Sequence, residues 1–193
     1  MKQKIAAYIS LMAHPLITIS IFILVVMFSY EEFNKALFIS FLLVGCVIVP
    51  STIRNYIKTK NGEYTNFDVS VKKQRNSMYL FAITLLVIIN CILFFTKQSE
   101  DLFLGALFAL FLLIVSYLVN FSIKCSGHVS LTIYLAFLIM PINLTIGIIV
   151  LLFSGPIGWS RVELKRHTPK EVYTGAIIGF TIGLLMIVTE GFI

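Results

Sequence analysis

The residues of this sequence that are best suited to chemistry are cations and histidines gathered in three short polar patches. The patches are residues 68–75, 124–128 and 160–171. Arginine offers a planar fork of donors to a phosphate group, and lysine offers a compact positive charge. The first free backbone N–H groups of a helix also point at an anion, which suits a Ser-Gly pair at a helix start. The patches together predict a site for a phosphate group.

Two histidines, His128 and His167, add chemistry that cations lack. An imidazole attacks phosphorus or protonates a leaving oxygen near neutral pH. Two histidines without a nearby carboxylate cluster form an incomplete ligand set, so no metal site is predicted. The three cysteines, Cys46, Cys91 and Cys125, are odd in number and widely spaced, and predict neither a disulfide framework nor a metal site.

The third patch carries an ordered spacing of four polar residues. Ser160 and Arg161 are followed after five residues by His167, and after three more by Glu171. This pattern resembles the Ser-Arg-x5-His-x3-Asp motif of the type 2 phosphatidic acid phosphatase superfamily. That superfamily comprises membrane lipid phosphatases related to vanadium haloperoxidases. Glutamate stands here where aspartate is usual.

The other two motifs of that superfamily are Lys-x6-Arg-Pro and Pro-Ser-Gly-His. The second matches residues 126–128, with Cys125 in place of proline. The first is degraded, because Arg75 has no proline after it and Asp68 stands at the lysine position. The order of the motifs fits, and the resemblance covers residues 68–179, over half of the chain.

The resemblance implies a two-step phosphotransfer without a metal or other cofactor. His167 would attack phosphorus and form a phosphohistidine, while His128 would protonate the leaving oxygen and then activate water. Glu171 would hold the His167 ring in its nucleophilic tautomer. Glu171 also completes a capping box with Thr168, so it can instead satisfy the Thr168 backbone N–H. The implied phosphate-binding residues are Arg161, Arg75, Lys72 or Lys73, Lys124, and the backbone of Ser126 and Gly127.

Two further polar residues, Asp68 and His14, lie outside the motif matches. Asp68 is expected either to pair with Lys72 or Arg75, or to cap a helix that begins near Val69. His14 has no partner in the sequence and is predicted to be structural.

The composition identifies the elements that must position these residues. The 193 residues are 59% apolar and 12% charged, with a mean hydropathy of +0.97. Soluble domains carry about 25% charged residues, so a soluble monomer is excluded, and so is a disordered chain. We predict a single multi-pass membrane domain over residues 1–193, with the motif-bearing core at about 68–180, and no nucleic-acid partner. The apolar runs cover residues 11–30, 36–53, 78–95, 102–121, 129–153 and 172–188.

The run 129–153 decides the topology. It is either one long span or two short helices folded at Pro141-Ile142-Asn143, since proline removes a helix donor and asparagine favours turns. If the run forms two short helices, the three patches lie on one membrane face. This arrangement also leaves only Lys35 and Lys97, of the 15 lysines and arginines, on the other face, which marks the basic face as cytoplasmic. We therefore predict an all-α integral membrane protein with six to seven membrane helices in a phosphatidic-acid-phosphatase-like bundle.

The last apolar run repeats a small residue every four positions. Gly175, Gly179 and Gly183 form one face of the predicted helix, and such a face allows close contact between helices. We interpret it as a packing surface.

These observations support two functional hypotheses. The first is a lipid phosphatase in the cell (inner) membrane, with its site on the cytoplasmic face. Its substrate would be a phosphorylated lipid or polyprenyl compound such as phosphatidic acid, phosphatidylglycerophosphate or an isoprenoid diphosphate. The alternative is a non-catalytic membrane protein that binds phospholipid headgroups or a partner protein.

Overall fold

The structure, a computed structural model, describes residues 1–191. Phe192 and Ile193 of the predicted domain lie outside the described residues. Within the described residues every regular element is a helix, and no strand is present. Its α-helices are α1 Lys2–Met12, α2 Pro15–Tyr30, α3 Phe33–Ser40, α4 Val49–Lys60, α5 Lys72–Phe95, α6 Glu100–Asn120, α7 Gly127–Ile139, α8 Leu144–Glu163 and α9 Pro169–Thr189. A π-helical segment, Phe41–Ile48, joins α3 to α4 as one continuous rod, Phe33–Lys60.

Five helices of the part that the structure describes are long and apolar enough to cross a membrane: Phe33–Lys60, α5, α6, α8 and α9. Helices α1 and α2 are bent by 41° at their junction and together meet the same criteria as a sixth. Helix α7 is apolar but has only 13 residues, against the roughly 20 of a full span. The all-helical class is confirmed, whereas the count of six to seven spans stays a prediction.

The predicted break in the run 129–153 is present. Helix α7 ends at Ile139 and α8 begins at Leu144. Asn143 is extended, and its side chain accepts a hydrogen bond from the Ile146 N–H at 3.0 Å, which caps α8. The turn between the two helices contains Pro141, which has no N–H to donate to a continuing helix. The chain therefore reverses, and α7 packs against α8.

Helix α8 continues further than its composition predicts. Residues 154–163 were expected to lie in a polar connection, but they form the last turns of α8, with Pro156 inside the helix. Ile157, Ser160 and Arg161 in these turns are buried. Burial against neighbouring helices stabilises these turns despite the cost of the proline, because tertiary packing outweighs local propensity.

The first apolar run also begins later than expected. Pro15 occupies the first turn of α2, and the ring Nδ1 of His14 accepts a hydrogen bond from the Leu16 N–H at 3.3 Å. The residues before it form the separate helix α1, which packs along α8. The N-terminal segment is thereby held against the helix that carries Arg161.

The glycine face of α9 packs directly on α7, as predicted. A Cβ atom on Gly179 would lie 2.4 Å from the Ser130 carbonyl oxygen, and one on Gly175 would lie 2.5 Å from the Ser126 carbonyl oxygen. The third glycine, Gly183, faces the ring of Phe137. This contact sets the start of α7 beside the start of α9, so residues that precede or begin these two helices are neighbours.

Candidate functional site

The three polar patches meet at one end of the bundle. Arg75 lies in the first turn of α5, His128 in the first turn of α7, Arg161 in the last turn of α8, and His167 between α8 and α9. Each of these side chains lines the same large cavity between the helices. Three further polar or turn residues of that end also line it: His14, Asp68 and Gly127.

His167 is fixed by a carboxylate one helical turn away. Its Nδ1 lies 3.0 Å from Glu171 Oε2, and the same oxygen accepts the Thr168 N–H at 3.1 Å. The Thr168 hydroxyl accepts the Glu171 N–H in return, at 3.3 Å. The two roles that the sequence left open for Glu171 thus occur together. With Nδ1–H donated to Glu171, the lone pair of the ring is on Nε2.

The surroundings of His167 keep its ring neutral. Burial lowers the pKa of His167 most, and the positive charges of Arg75, Lys124 and Arg161 lower it further, to about 2. A neutral imidazole is the form that attacks phosphorus. Lys124 lies close by, with its Nζ 3.4 Å from Glu171 Oε2 and 2.8 Å from the Arg166 carbonyl that accepts its hydrogen bond.

His128 is almost completely buried at the start of α7. Its Nε2 has no hydrogen-bond partner within the part of the chain that the structure describes, and the same holds for Ser126 Oγ and Arg161 Nε. An unpartnered buried nitrogen is costly, and such groups in a site are suited to a ligand. The His128 ring also packs edge-on against His14, with 5.0 Å between ring centroids.

Arg75 is buried and held from two sides. Its Nη1 donates to the Cys125 carbonyl at 2.6 Å, and its Nη2 donates to the Tyr79 hydroxyl. Because the acceptor at position 125 is a backbone carbonyl, cysteine supplies it as well as proline would. The departure from the second motif at Cys125 therefore leaves the position of Arg75 intact.

Arg161 is paired with Asp68, for which the sequence predicted other partners. Its Nη1 donates to Asp68 Oδ2 at 2.8 Å and to the Ser10 hydroxyl of α1. Asp68 therefore pairs neither with Lys72 nor with Arg75, and it caps no helix near Val69, so these expectations were wrong. The connection between α4 and α5 folds over the site end, with Val69 at a φ of 48°. This fold carries Asp68 to α8.

His14 completes this arrangement and was missed as a site residue. Its Nε2 lies 3.4 Å from Asp68 Oδ1. Burial by itself raises the pKa of Asp68, but the contact with His14 and the positive charge of Arg161 outweigh it, and the pKa lies well below its usual range. The packing of the first helices brings His14 to the site. No sequence spacing relates it to the three patches, so sequence reasoning had no signal for it.

The side chains of His14, Asp68 and His128 place one ligand-type atom each within 4.8 Å of one another, which is close enough to hold a metal ion. Their hydrogen bonds oppose that use. His14 Nδ1 accepts the Leu16 N–H, so the ring proton is on Nε2, the atom that faces Asp68. The other Asp68 oxygen accepts from Arg161. The group is therefore better described as a row of polar contacts, in which His14 Nε2 faces one Asp68 oxygen and Arg161 donates to the other.

The predicted lysines of the first patch lie away from this cavity. Lys72 Nζ donates to the carbonyls of Phe121 and Ser122, at 2.8 and 3.1 Å. Lys73 lines a separate, shallow pocket beside Arg54. Neither lysine lines the cavity, so the structure does not bring these two predicted phosphate-binding residues together with the rest of the site.

Ser126 is positioned by its backbone. Its N–H donates to the Glu171 carbonyl at 3.0 Å, which ties the start of α7 to the start of α9. Gly127 leaves space beside Arg75, since a Cβ there would lie 3.7 Å from Arg75 Nη2.

Comparison with known proteins adds no assignment: no family model, no curated protein and no solved structure matches the chain.

Proposed function

We propose that this protein is a multi-pass membrane lipid phosphatase that hydrolyses a phosphomonoester or diphosphate headgroup. One observation carries the proposal. A neutral histidine oriented by a carboxylate, His167, lines the same cavity as a second buried histidine and two arginines. This set contains a nucleophile, an acid–base group and two anion-binding groups, which are the parts that a metal-independent phosphotransfer requires.

The reaction proceeds in two steps. His167 Nε2 attacks phosphorus, the bond from phosphorus to the leaving oxygen breaks, and a proton from His128 goes to that oxygen. The lipid product leaves and a phosphohistidine remains. Water then attacks phosphorus, His128 takes a proton from that water, and the N–P bond breaks to release phosphate. Glu171 keeps the proton of His167 on Nδ1 in both steps.

The arginines stabilise the charge that develops on the phosphoryl oxygens. Arg75 and Arg161 are already held by protein acceptors, so their positions are set before substrate binds. Donors that need no reorganisation are the effective ones in a transition state. The substrate would be phosphatidic acid, phosphatidylglycerophosphate or an isoprenoid diphosphate at the cytoplasmic face of the cell membrane, and no cofactor is required.

The test is phosphate release from a panel of phosphorylated lipids by the purified protein in detergent. We expect His167→Ala and His128→Ala each to reduce release by at least about 10³-fold, as removal of catalytic groups does elsewhere. EDTA should leave the rate unchanged. Acid-labile phosphate on the wild-type protein, absent from His167→Ala, would identify the intermediate. Lys60→Ala, at the exposed end of α4, is the matched control. Full activity in either histidine variant contradicts the proposal.

A second function, headgroup binding without turnover, is favoured by the carboxylate on Arg161. Asp68 accepts from Arg161 Nη1 and offsets the positive charge that would stabilise the transition state of phosphoryl transfer. The same lipid panel distinguishes the two functions. Stabilisation of the wild type by phosphorylated lipids without phosphate release from any of them would support a binding protein.

A further inference from the structure

The cavity at the candidate site continues far beyond the histidines. It has a volume of about 750 Å³ and reaches from His128 and Arg161 to Asp101 and Glu190 near the opposite end of the bundle. Small-molecule sites have volumes of roughly 300–1,000 Å³, so this cavity holds a sizeable ligand. It is lined by α2, the Phe41–Ile48 segment, α5, α6 and α7, and between its two ends the lining is largely apolar.

We propose that the apolar length of this cavity binds a single hydrocarbon chain of the substrate, whose phosphate lies against Arg75 and Arg161. The inference rests on the proposed function and narrows it to single-chain phosphorylated lipids, such as isoprenoid phosphates or monoacyl phosphates. A diacyl lipid would place one of its two chains outside the cavity.

The charges at the two ends determine the orientation of that chain. The site end carries Arg75 and Arg161, whereas Asp101, Glu190 and Glu31 line the far end. An anionic headgroup is therefore attracted to the site end and repelled from the far end. An amphiphile with one anionic head and one apolar tail is the ligand that matches both the lining and this polarity.

Three alanines on the cavity wall mark successive depths. Ala82 lies on α5, roughly 10 Å along the helix axis from Arg75 at 1.5 Å per residue. Ala106 on α6 lies deeper, because its carbonyl accepts a hydrogen bond from Asn90, near the far end of α5. Ala109 lies on the same face of α6, about one helical turn closer to the site. A large side chain at each position would close the cavity at a different depth.

The experiment measures kcat/KM for monophosphates of increasing prenyl chain length and for p-nitrophenyl phosphate, which has no chain. We expect Ala109→Phe to lower kcat/KM for the longest chains at least 10-fold and to leave p-nitrophenyl phosphate unchanged. Ala82 lies nearer to the site than Ala106. Ala82→Phe should therefore lower kcat/KM for prenyl chains that are too short to be affected by Ala106→Phe. Val87→Phe, on the exposed side of α5 and away from the cavity, is the matched control and should behave as the wild type.

Binding of a radiolabelled polyprenyl monophosphate separates the two proposals. His167→Ala should keep binding, and Ala109→Phe should weaken it at least 10-fold, even if the protein hydrolyses nothing. Thermal unfolding identifies variants that fail to fold. Because the cavity is tested at three alanine positions, the loss of one variant leaves two others to test it. Equal effects of the Phe variants on all chain lengths, or faster turnover of diacyl than of monoacyl phosphates, would overturn the inference while leaving a phosphatase in place.

Discussion

Asp68 neutralises Arg161 in a part of the chain that is otherwise rich in cations. The Arg161 side chain is 2% exposed and that of Asp68 is 19% exposed, so the pair is largely removed from water. The pKa of Asp68 lies well below its usual range, so the pair is charged throughout the neutral range and is lost only when acid protonates the carboxyl. Under the proposed function, the same carboxylate would compete with a substrate phosphate for Arg161.

Replacing this carboxylate should cost stability and favour anion binding. Asp68→Asn leaves a buried guanidinium without its counter-charge. Breaking a fully buried pair costs about 3–5 kcal/mol, and the partial exposure of Asp68 reduces this to on the order of 2 kcal/mol. Inorganic phosphate should then stabilise the variant more than the wild type, because it replaces the lost charge. Thermal unfolding with and without phosphate measures both effects.

Glu163→Gln, a carboxylate change at the end of α8 without an ion pair among the described residues, is the control and should behave as the wild type. An equal phosphate shift in Asp68→Asn and in the wild type would show that Arg161 is not an anion-binding group.

Sequence spacing predicts site contacts only where both partners are close together in the chain. Glu171 lies four residues after His167, and a helix start brings that spacing together. Asp68 and His14 are separated from their partners by several helices, and their contacts depend on how those helices pack. The neighbouring lysines, Lys72 and Lys73, were plausible by sequence distance alone, but the direction of the first turn of α5 points them away from the cavity.

The helix ends, rather than the helix bodies, assemble the site. His128, Arg161 and His167 each lie within a turn of a helix terminus, and the contact of α7 with α9 sets two of these termini side by side. That contact depends on glycine, because at Gly179 the backbones are too close for any side chain. A change in the helix–helix distance therefore moves His128 relative to His167.

Gly179→Ala should thus impair both stability and activity. The added Cβ would lie 2.4 Å from the Ser130 carbonyl oxygen and 2.9 Å from its Cα, so the helices must separate. Overpacking of this kind costs about 1–3 kcal/mol. Thermal unfolding and phosphate release measure the two losses.

Gly155→Ala on α8 is the matched control, since a Cβ there would meet no atom of another described helix within 4 Å. It should leave phosphate release unchanged and cost less stability than Gly179→Ala, because the gain in helix propensity offsets the strain of a Cβ before Pro156. If both alanine variants lost stability equally, close contact of α7 with α9 would not be the reason for Gly179.

The elements could be predicted where local signals were strong. The turn at Pro141 and Asn143 interrupts an apolar run, and both the proline and the cap were visible in the sequence. Helix α1 was not predicted, because it is only 11 residues long and its mean hydropathy is far below that of α2. Its helical form depends on packing along α8, and a local sequence pattern does not predict such packing.

At the scale of the whole molecule, the cations are concentrated at the end that holds the candidate site. The connections at that end contain the described polar patches, whereas the opposite connections contain Lys35 and Lys97. Basic residues in short loops mark the cytoplasmic side of membrane proteins. The fold of α7 and α8 strengthens this asymmetry, because it returns Arg161 and its neighbours to the same end as His128.

We therefore expect the site end to face the cytoplasm. Lys165→Cys and Lys97→Cys, each in an exposed turn at opposite ends, would be labelled in cells with a membrane-impermeant maleimide after Cys46 and Cys91 are changed to serine. Lys97→Cys should react in intact cells, and Lys165→Cys only after the membrane is permeabilised. The reverse pattern would place the site on the outer face.

The contact between Ser10 and Arg161 joins residues 151 positions apart, and Asp68 joins the same arginine across 93 positions. A ribosome makes α1 before α8, so Ser10 can contact Arg161 only after α8 has been synthesised. Until then Asp68 lacks the guanidinium that it accepts from in the folded protein. Completion of the proposed phosphate site is consequently a late event in synthesis, because a chain that ends before α8 lacks Arg161.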